Sequence, residues 1–131
     1  MYLIDTNTCI FLKNEKPIHV LEKLKSVLNQ DVFLSSVTIA EMQFGVYNSR
    51  SIEKNRISLT EFLAPFQIID FDDRDAEYFG KIRAELKQRG ELIGPYDMLI
   101  AAQAVARKLI LVTNNTKEFT RVPELVIEDW K

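Results

Sequence analysis

Three carboxylates stand where an acid is out of place. Asp5 ends the apolar run Tyr2-Leu3-Ile4 and is followed by the small polar residues Thr6 and Asn7. Glu41 lies in Ile39-Ala40-Glu41-Met42, and Asp97 heads the apolar run Met98-Leu99-Ile100-Ala101-Ala102. Each has a simple structural reading. Asp5 could cap the helix that follows it. Glu41 could be the last member of a capping box begun at Thr38. Asp97 could be a first-turn acid favoured by the helix dipole. Together they suggest more. Carboxylates gathered at one place repel one another and are tolerated mainly when a cation binds them or some are protonated. Hard oxygen donors without Cys or His point to Mg²⁺ or Mn²⁺. Such an ion can bind a phosphate and activate a water for in-line attack.

The elements that must position these acids alternate. Apolar runs at 2–4, 32–34, 67–71 and 109–113 read as strands, with a short edge strand at 125–128. Helical patterns fill the gaps: 6–12 with Thr6 or Asn7 as N-cap; a helix with Pro17 in its first turn and Ile18, Leu21, Leu24, Val27 and Leu28 on one face after the 3.6-residue period. Asn29-Gln30-Asp31 then turns into the second strand. A helix holds Met42, Phe44 and Val46, and another spans 51–66 with Ile52, Leu59, Phe62, Leu63 and Phe66 as its stripe. A fifth runs from a cap at Asp72 or Asp73 to Gln88, with Ala76, Phe79, Ile82 and Leu86 inward and Gly90 as its left-handed terminator. Pro95 opens the last long helix. This alternation predicts an α/β fold with a central, mainly parallel sheet of about four to five strands flanked by helices. In such sheets ligand sites lie beyond the carboxyl ends of the strands. Asp5 ends a strand there, and Glu41 and Asp97 start helices on the same edge.

Weaker candidates surround them. Asn114-Asn115 follows a strand, and either forms a turn or offers the Asn115 amide oxygen to a metal or a metal-held water; Glu118 can supply a further charge. Thr6, Asn7, Ser36 and Thr113 can orient carboxylates or donate to phosphate oxygens, or act only as caps and turns. On the basic side, Arg83 and Lys87 are one helical turn apart, with Lys81 and Arg89 near them; Lys13 and Lys16 follow the first helix, and Tyr96 can stack on a base. His19, the one histidine, reads as a surface residue, and Cys9, the one cysteine, as a small buried apolar group.

Bulk properties set limits. A chain of 131 residues with 47% apolar content suits one domain, residues 1–131, with its own core. One cysteine excludes an internal disulfide and a multi-cysteine zinc site. A net charge of −2 argues against coating nucleic acid through overall charge, without excluding it as a substrate. Neither a membrane span nor a leader peptide is evident, so a cytoplasmic location is the expectation.

Four segments, "YLIDTNTCIF", "SSVTIAEMQFGV", "LIGPYDMLIAAQA" and "LVTNNTKEF", with a terminal "IEDW", resemble the PIN-domain ribonucleases. They are most similar to the VapC toxins of bacterial VapBC toxin–antitoxin pairs. The resemblance spans nearly the whole chain in family order. It implies a PIN fold, with Asp5, Glu41 and Asp97 as core catalytic acids and ligands of Mg²⁺ or Mn²⁺, and RNA as substrate. Asn115 stands where PIN domains often carry Asp, which leaves open whether one or two metals bind. "GPYDMLIAA" and "VTNNTKEF" resemble the group that cuts initiator tRNA in its anticodon stem-loop. The family also implies a homodimer and a VapB antitoxin. Two other readings stay open: a PIN-like module that binds without cutting, and a haloacid-dehalogenase-like phosphatase built on Asp5-Thr6-Asn7-Thr8. The latter needs a general acid where this chain has Asn7.

Overall fold

The computed structural model describes residues 1–27 and 30–131. Leu28, expected on a helix stripe, and Asn29, expected in a turn, lie outside the described residues.

β1 (Tyr2–Ile4) is buried on both faces. Its side chains alternate, as a pleated strand requires: Tyr2 and Ile4 join one core cluster, Leu3 the other. A strand apolar in every position therefore belongs in the middle of a sheet covered by helices on both sides. Five parallel strands run in the order β3-β2-β1-β4-β5, with β2 (Val32–Ser35), β3 (Gln67–Ile69), β4 (Ile110–Val112) and β5 (Ile127–Glu128). Ile4 pairs with Val112, and Val112 with Glu128, so the next residues Asp5, Thr113 and Asp129 emerge side by side at the carboxyl edge.

The helices are α1 (Thr6–Asn14), α2 (Ile18–Ser26), α3 (Ser36–Tyr47), α4 (Ile52–Leu63), α5 (Asp73–Gln88), α6 (Pro95–Arg107) and α7 (Thr116–Phe119). On one face Leu12, Val20, Leu24, Met42 and Leu59 pack with Leu34 and Trp130; on the other Ile82, Leu86, Met98 and Ile100 pack with Leu111 and Phe119. Among the described residues, no helix is long and apolar enough to cross a membrane.

The expected α/β sheet is present, and several boundaries differ for local reasons. Asp5, rather than Thr6 or Asn7, caps α1, accepting from Thr8 N at 2.8 Å. Pro17 occupies the cap of α2, one residue before its first turn. Ser35 caps α3 by accepting from Val37 N at 3.0 Å, so Thr38 lies inside the helix and the Thr38–Glu41 capping box does not form. α4 stops at Leu63, because Pro65 has no N–H to extend the ladder, and Ile52 is exposed. Of the apolar residues on α3, Met42 and Val46 are buried and Phe44 is 70% exposed. Gly90, at φ 67°, terminates α5 as expected: Glu91 N donates to Leu86 O and Gly90 N to Lys87 O, the paired bonds of a Schellman motif.

In α5 the inward stripe is Asp75, Phe79, Ile82 and Leu86, while Ala76 is exposed. Asp75 is fully buried, because several donors meet it. Arg107 donates from Nη2 at 3.1 Å and from Nε at 3.3 Å, Gln103 Nε2 at 3.3 Å, and Asp72 N at 3.0 Å, while Asp72 caps the same helix. Arg107 also reaches Asp70 O at 2.9 Å, tying α5, α6 and the end of β3 together. Replacing Arg107 with Met strands a buried charge and is expected to cost about 3 kcal/mol of unfolding free energy. Urea denaturation of the two proteins checks this, and an unchanged midpoint would show that the network adds nothing.

Candidate active site

Asp5 is 3% exposed. It sits at the carboxyl end of β1, its backbone N–H fixed by Val112 O at 3.0 Å. Its carboxylate takes hydrogen bonds from Thr8 and from the Thr113 hydroxyl. Burial nonetheless raises its pKa; the Thr113 and Thr8 bonds oppose that shift, and the nearby Asp129 adds to it. Capping and chemistry are therefore not alternatives for this residue: it caps α1 and presents a carboxylate held by hydroxyls, with no cation.

Glu41 is half-buried one turn into α3. Thr6 Oγ1 donates to Glu41 Oε1 at 2.8 Å and lies 3.1 Å from the buried Thr38 Oγ1. The residue after the first acid thus positions the second. Asp97 lies in the first turn of α6, whose cap, Gly94, offers no side chain. Its pKa is pushed up to about 6, first by burial and then by the charges of Asp5, Glu41 and Glu118. Three acids from three other elements therefore act on Asp97 at the carboxyl edge.

Asn115 Nδ2 donates to Glu118 Oε2 at 3.1 Å, and Asn115 N to Thr113 Oγ1 at 3.0 Å. These bonds link the turn after β4 to the Asp5 partner Thr113. The neighbouring Asn114 Oδ1 is a buried acceptor without a donor, a place suited to a water or cation contact. Asn7 is exposed. Ser36 accepts from Phe71 N at 3.1 Å, which fastens the segment after β3 and gives this hydroxyl a structural bond of its own. Arg83 and Lys87 are exposed on α5; the Arg83 guanidinium stands 5.9 Å from the Phe79 ring. Tyr96, beside Asp97, is 57% exposed. His19 is exposed, and burial pushes the Cys9 thiol well up, so neither is placed as a nucleophile.

Among the described residues no Lys or Arg forms an ion pair with Asp5, Glu41, Asp97 or Glu118. Nor are three or more His, Cys, Asp or Glu side chains placed, as they stand, to hold one metal ion. The donor set still fits Mg²⁺ in kind. Mg²⁺ keeps several waters and uses one or two carboxylates together with substrate phosphate, so it needs no all-protein cage.

The model of the PIN domain matches residues 2–125. The chain belongs to the PIN-domain family. This PIN domain is 41% identical to the ribonuclease VapC2 of Rickettsia felis, over 99% of this chain and 98% of that protein. It is 40% identical to the tRNA(fMet)-specific endonuclease VapC of Salmonella typhimurium, over 98% and 97%. Its fold superposes, with a TM-score of 0.93 and 40% identity, on a chain of the crystal structure of VapBC2 from Rickettsia felis bound to a promoter DNA fragment, covering 99% of this chain and 98% of that one. The likeness to the VapC ribonucleases extends over nearly the full length on both sides.

Thr8, Thr38 and Asp129 are the members of this edge that sequence reasoning passed over. Thr38 was obscured by its resemblance to a cap. Asp129 could have been found from the register alone, since β5 is parallel to β4. The raised pKa of Asp97 gives a pH prediction. A carboxyl raised from 3.8 to about 6 favours the folded state below pH 4, and that contribution is lost as pH rises through 6. Without metal, Asp97→Asn is expected to raise the urea midpoint at pH 8 and to leave it nearly unchanged at pH 4. Equal effects at the two pH values would show that Asp97 titrates normally.

Proposed function

We propose that this chain is the toxin of a type II toxin–antitoxin pair, a Mg²⁺- or Mn²⁺-dependent endoribonuclease acting in the cytoplasm. Its proposed substrate is tRNA, cut in the anticodon stem-loop of the initiator. The observation that carries the reading is the crowding of uncompensated acids: Asp97 is raised first by its own burial and then by the charges of Asp5, Glu41 and Glu118. Acids placed around Asp97 in this way disfavour its ionisation, and a bound cation would reverse that. The VapC relatives of R. felis and S. typhimurium support the activity and the tRNA substrate, and the VapBC structures support a VapB-type antitoxin as partner. Ile52 and Ile57, exposed on α4, offer apolar surface for a homodimer.

Asp5, Glu41 and Asp97 would hold the ion. When bound, the cation supplies charge to neutralise the scissile phosphate and lowers the pKa of a water for in-line attack. The protein's own groups do the positioning. Thr8 and Thr113 fix the Asp5 carboxylate, and Thr6 fixes Glu41. Asp97, raised to about 6, is protonated below that pH, so a cation there would be held more tightly as pH rises. Glu118, tethered by Asn115, adds negative charge beside Asp97 where many PIN domains carry an acid at position 115 itself.

Cleavage of tRNA in Mg²⁺ tests this. Asp5→Asn is the informative variant, because Asn also caps helices well and the change removes charge rather than the cap. Asp5→Asn and Asp97→Asn are each expected to lower the rate by at least about 100-fold, the scale of losing a transition-state electrostatic group, and EDTA is expected to abolish cleavage. Undiminished cleavage in EDTA, or in both variants, would sink the proposal. RNA binding without cleavage in Mn²⁺ would instead mark a non-catalytic module.

A further inference from the structure

Phe44 is the most exposed of the large apolar residues on α3, at 70%, and Tyr47, one turn on, is 60% exposed. Phe44 lies three residues after Glu41, and Tyr96 immediately precedes Asp97. The two helices that carry these acids thus each carry an exposed ring beside the acid. Ala40, Glu41, Phe44 and Tyr96 line one hollow of about 300 Å³. Glu41 also lines the next hollow, of about 220 Å³, together with Thr6 and Lys13. A path across Glu41 therefore meets two aromatic rings on one side and a cation on the other.

The occupant must match both. An apolar protein side chain would satisfy the rings and leave the cation unmatched. A nucleotide satisfies both: a flat base for the rings, and a phosphate for Lys13, whose ammonium donates to Ser58 Oγ at 2.9 Å and has further N–H groups to give. The hollow is at the lower end of small-ligand pockets, which suits a single base rather than a longer ligand. Unpaired bases are commonly gripped in this way, by stacking that tolerates any base because all have a π-face.

We propose that Phe44 and Tyr96 clamp one unpaired nucleobase of the RNA substrate next to the scissile phosphate, making Phe44 a substrate-binding residue. The proposal rests on the reading of this chain as a ribonuclease. It accounts for two exposed rings on an acidic edge. It requires no duplex-specific contact.

The test uses the full chain with intact tRNA and with RNA hairpins of the anticodon stem-loop in Mg²⁺, with kcat/KM as the readout and light scattering to follow the oligomeric state. Phe44→Leu, which keeps apolar bulk and loses the ring, is expected to lower kcat/KM about tenfold, within the range for one stacked base. Phe44→Trp is expected to restore it. Removing the base at one position of the substrate should cost the native chain a similar factor and Phe44→Leu little more. Unchanged kcat/KM in Phe44→Leu, while the native chain cleaves, overturns the clamp and leaves the ribonuclease reading intact. A loss that accompanies conversion of a dimer to a monomer also overturns it, since the rings then belong to an interface with a second copy. A native chain that neither binds nor cleaves RNA removes the ribonuclease reading and the clamp together.

Discussion

A carboxylate taken out of water must be met by donors or cations, and the fold deals with two such groups in opposite ways. Asp75 is fully buried and fully met: Arg107, Gln103 and the Asp72 backbone N–H all donate to it. Asp5 is nearly as buried, and among the described residues only hydroxyls and one backbone N–H meet it. The first arrangement removes the cost of burial and ties three elements together. The second leaves much of the cost in place, which shows in the raised pKa of both Asp5 and Asp97. Arg107 and Asp5 lie in the same small molecule, so a cation beside Asp5 is within the means of the fold. Leaving that carboxylate without one is the pattern expected of a site that receives its positive charge from outside.

The parallel register of the sheet creates this situation. β1 sits between β2 and β4 with apolar side chains on both faces, and its position admits no shift without exposing Leu3 or burying the wrong neighbour. Once β1 is fixed, Asp5, Thr113 and Asp129 must share one edge. α3 and α6 start on the same edge for the same topological reason, and bring Glu41 and Asp97 with them. The acids are gathered by backbone packing; their repulsion is overcome by the two apolar clusters on either side of the sheet.

That logic explains what the sequence disclosed and what it withheld. The fully apolar run of β1 announces a buried central strand, and an acid directly after it announces the edge. The stop of α5 at Gly90 was equally legible, because φ > 0 there suits Gly and few other residues. Local signals failed where a tertiary bond outbid them. Thr38-x-x-Glu41 has the spacing of a capping box, yet Ser35 captures the helix start, and both residues face Thr6 across 32 or more positions of sequence. Ala76 looked like the inward residue of α5, but the partner that decides the matter, Arg107, lies on another helix. The sequence placed Phe44 on α3 without a side; the packing of α3 shows that its side is open.

Asn115 illustrates how one edge distributes charge among several residues. As an amide it can donate, which an aspartate cannot, and it uses that capacity to hold Glu118 at 3.1 Å. Glu118 in turn is one of the charges that raise Asp97. A carboxylate at 115 would place a charge at the strand end and repel Glu118; the amide removes that charge and retains Glu118 through a hydrogen bond. The negative charge beside Asp97 is thus carried by a residue on α7 rather than by one at the end of β4.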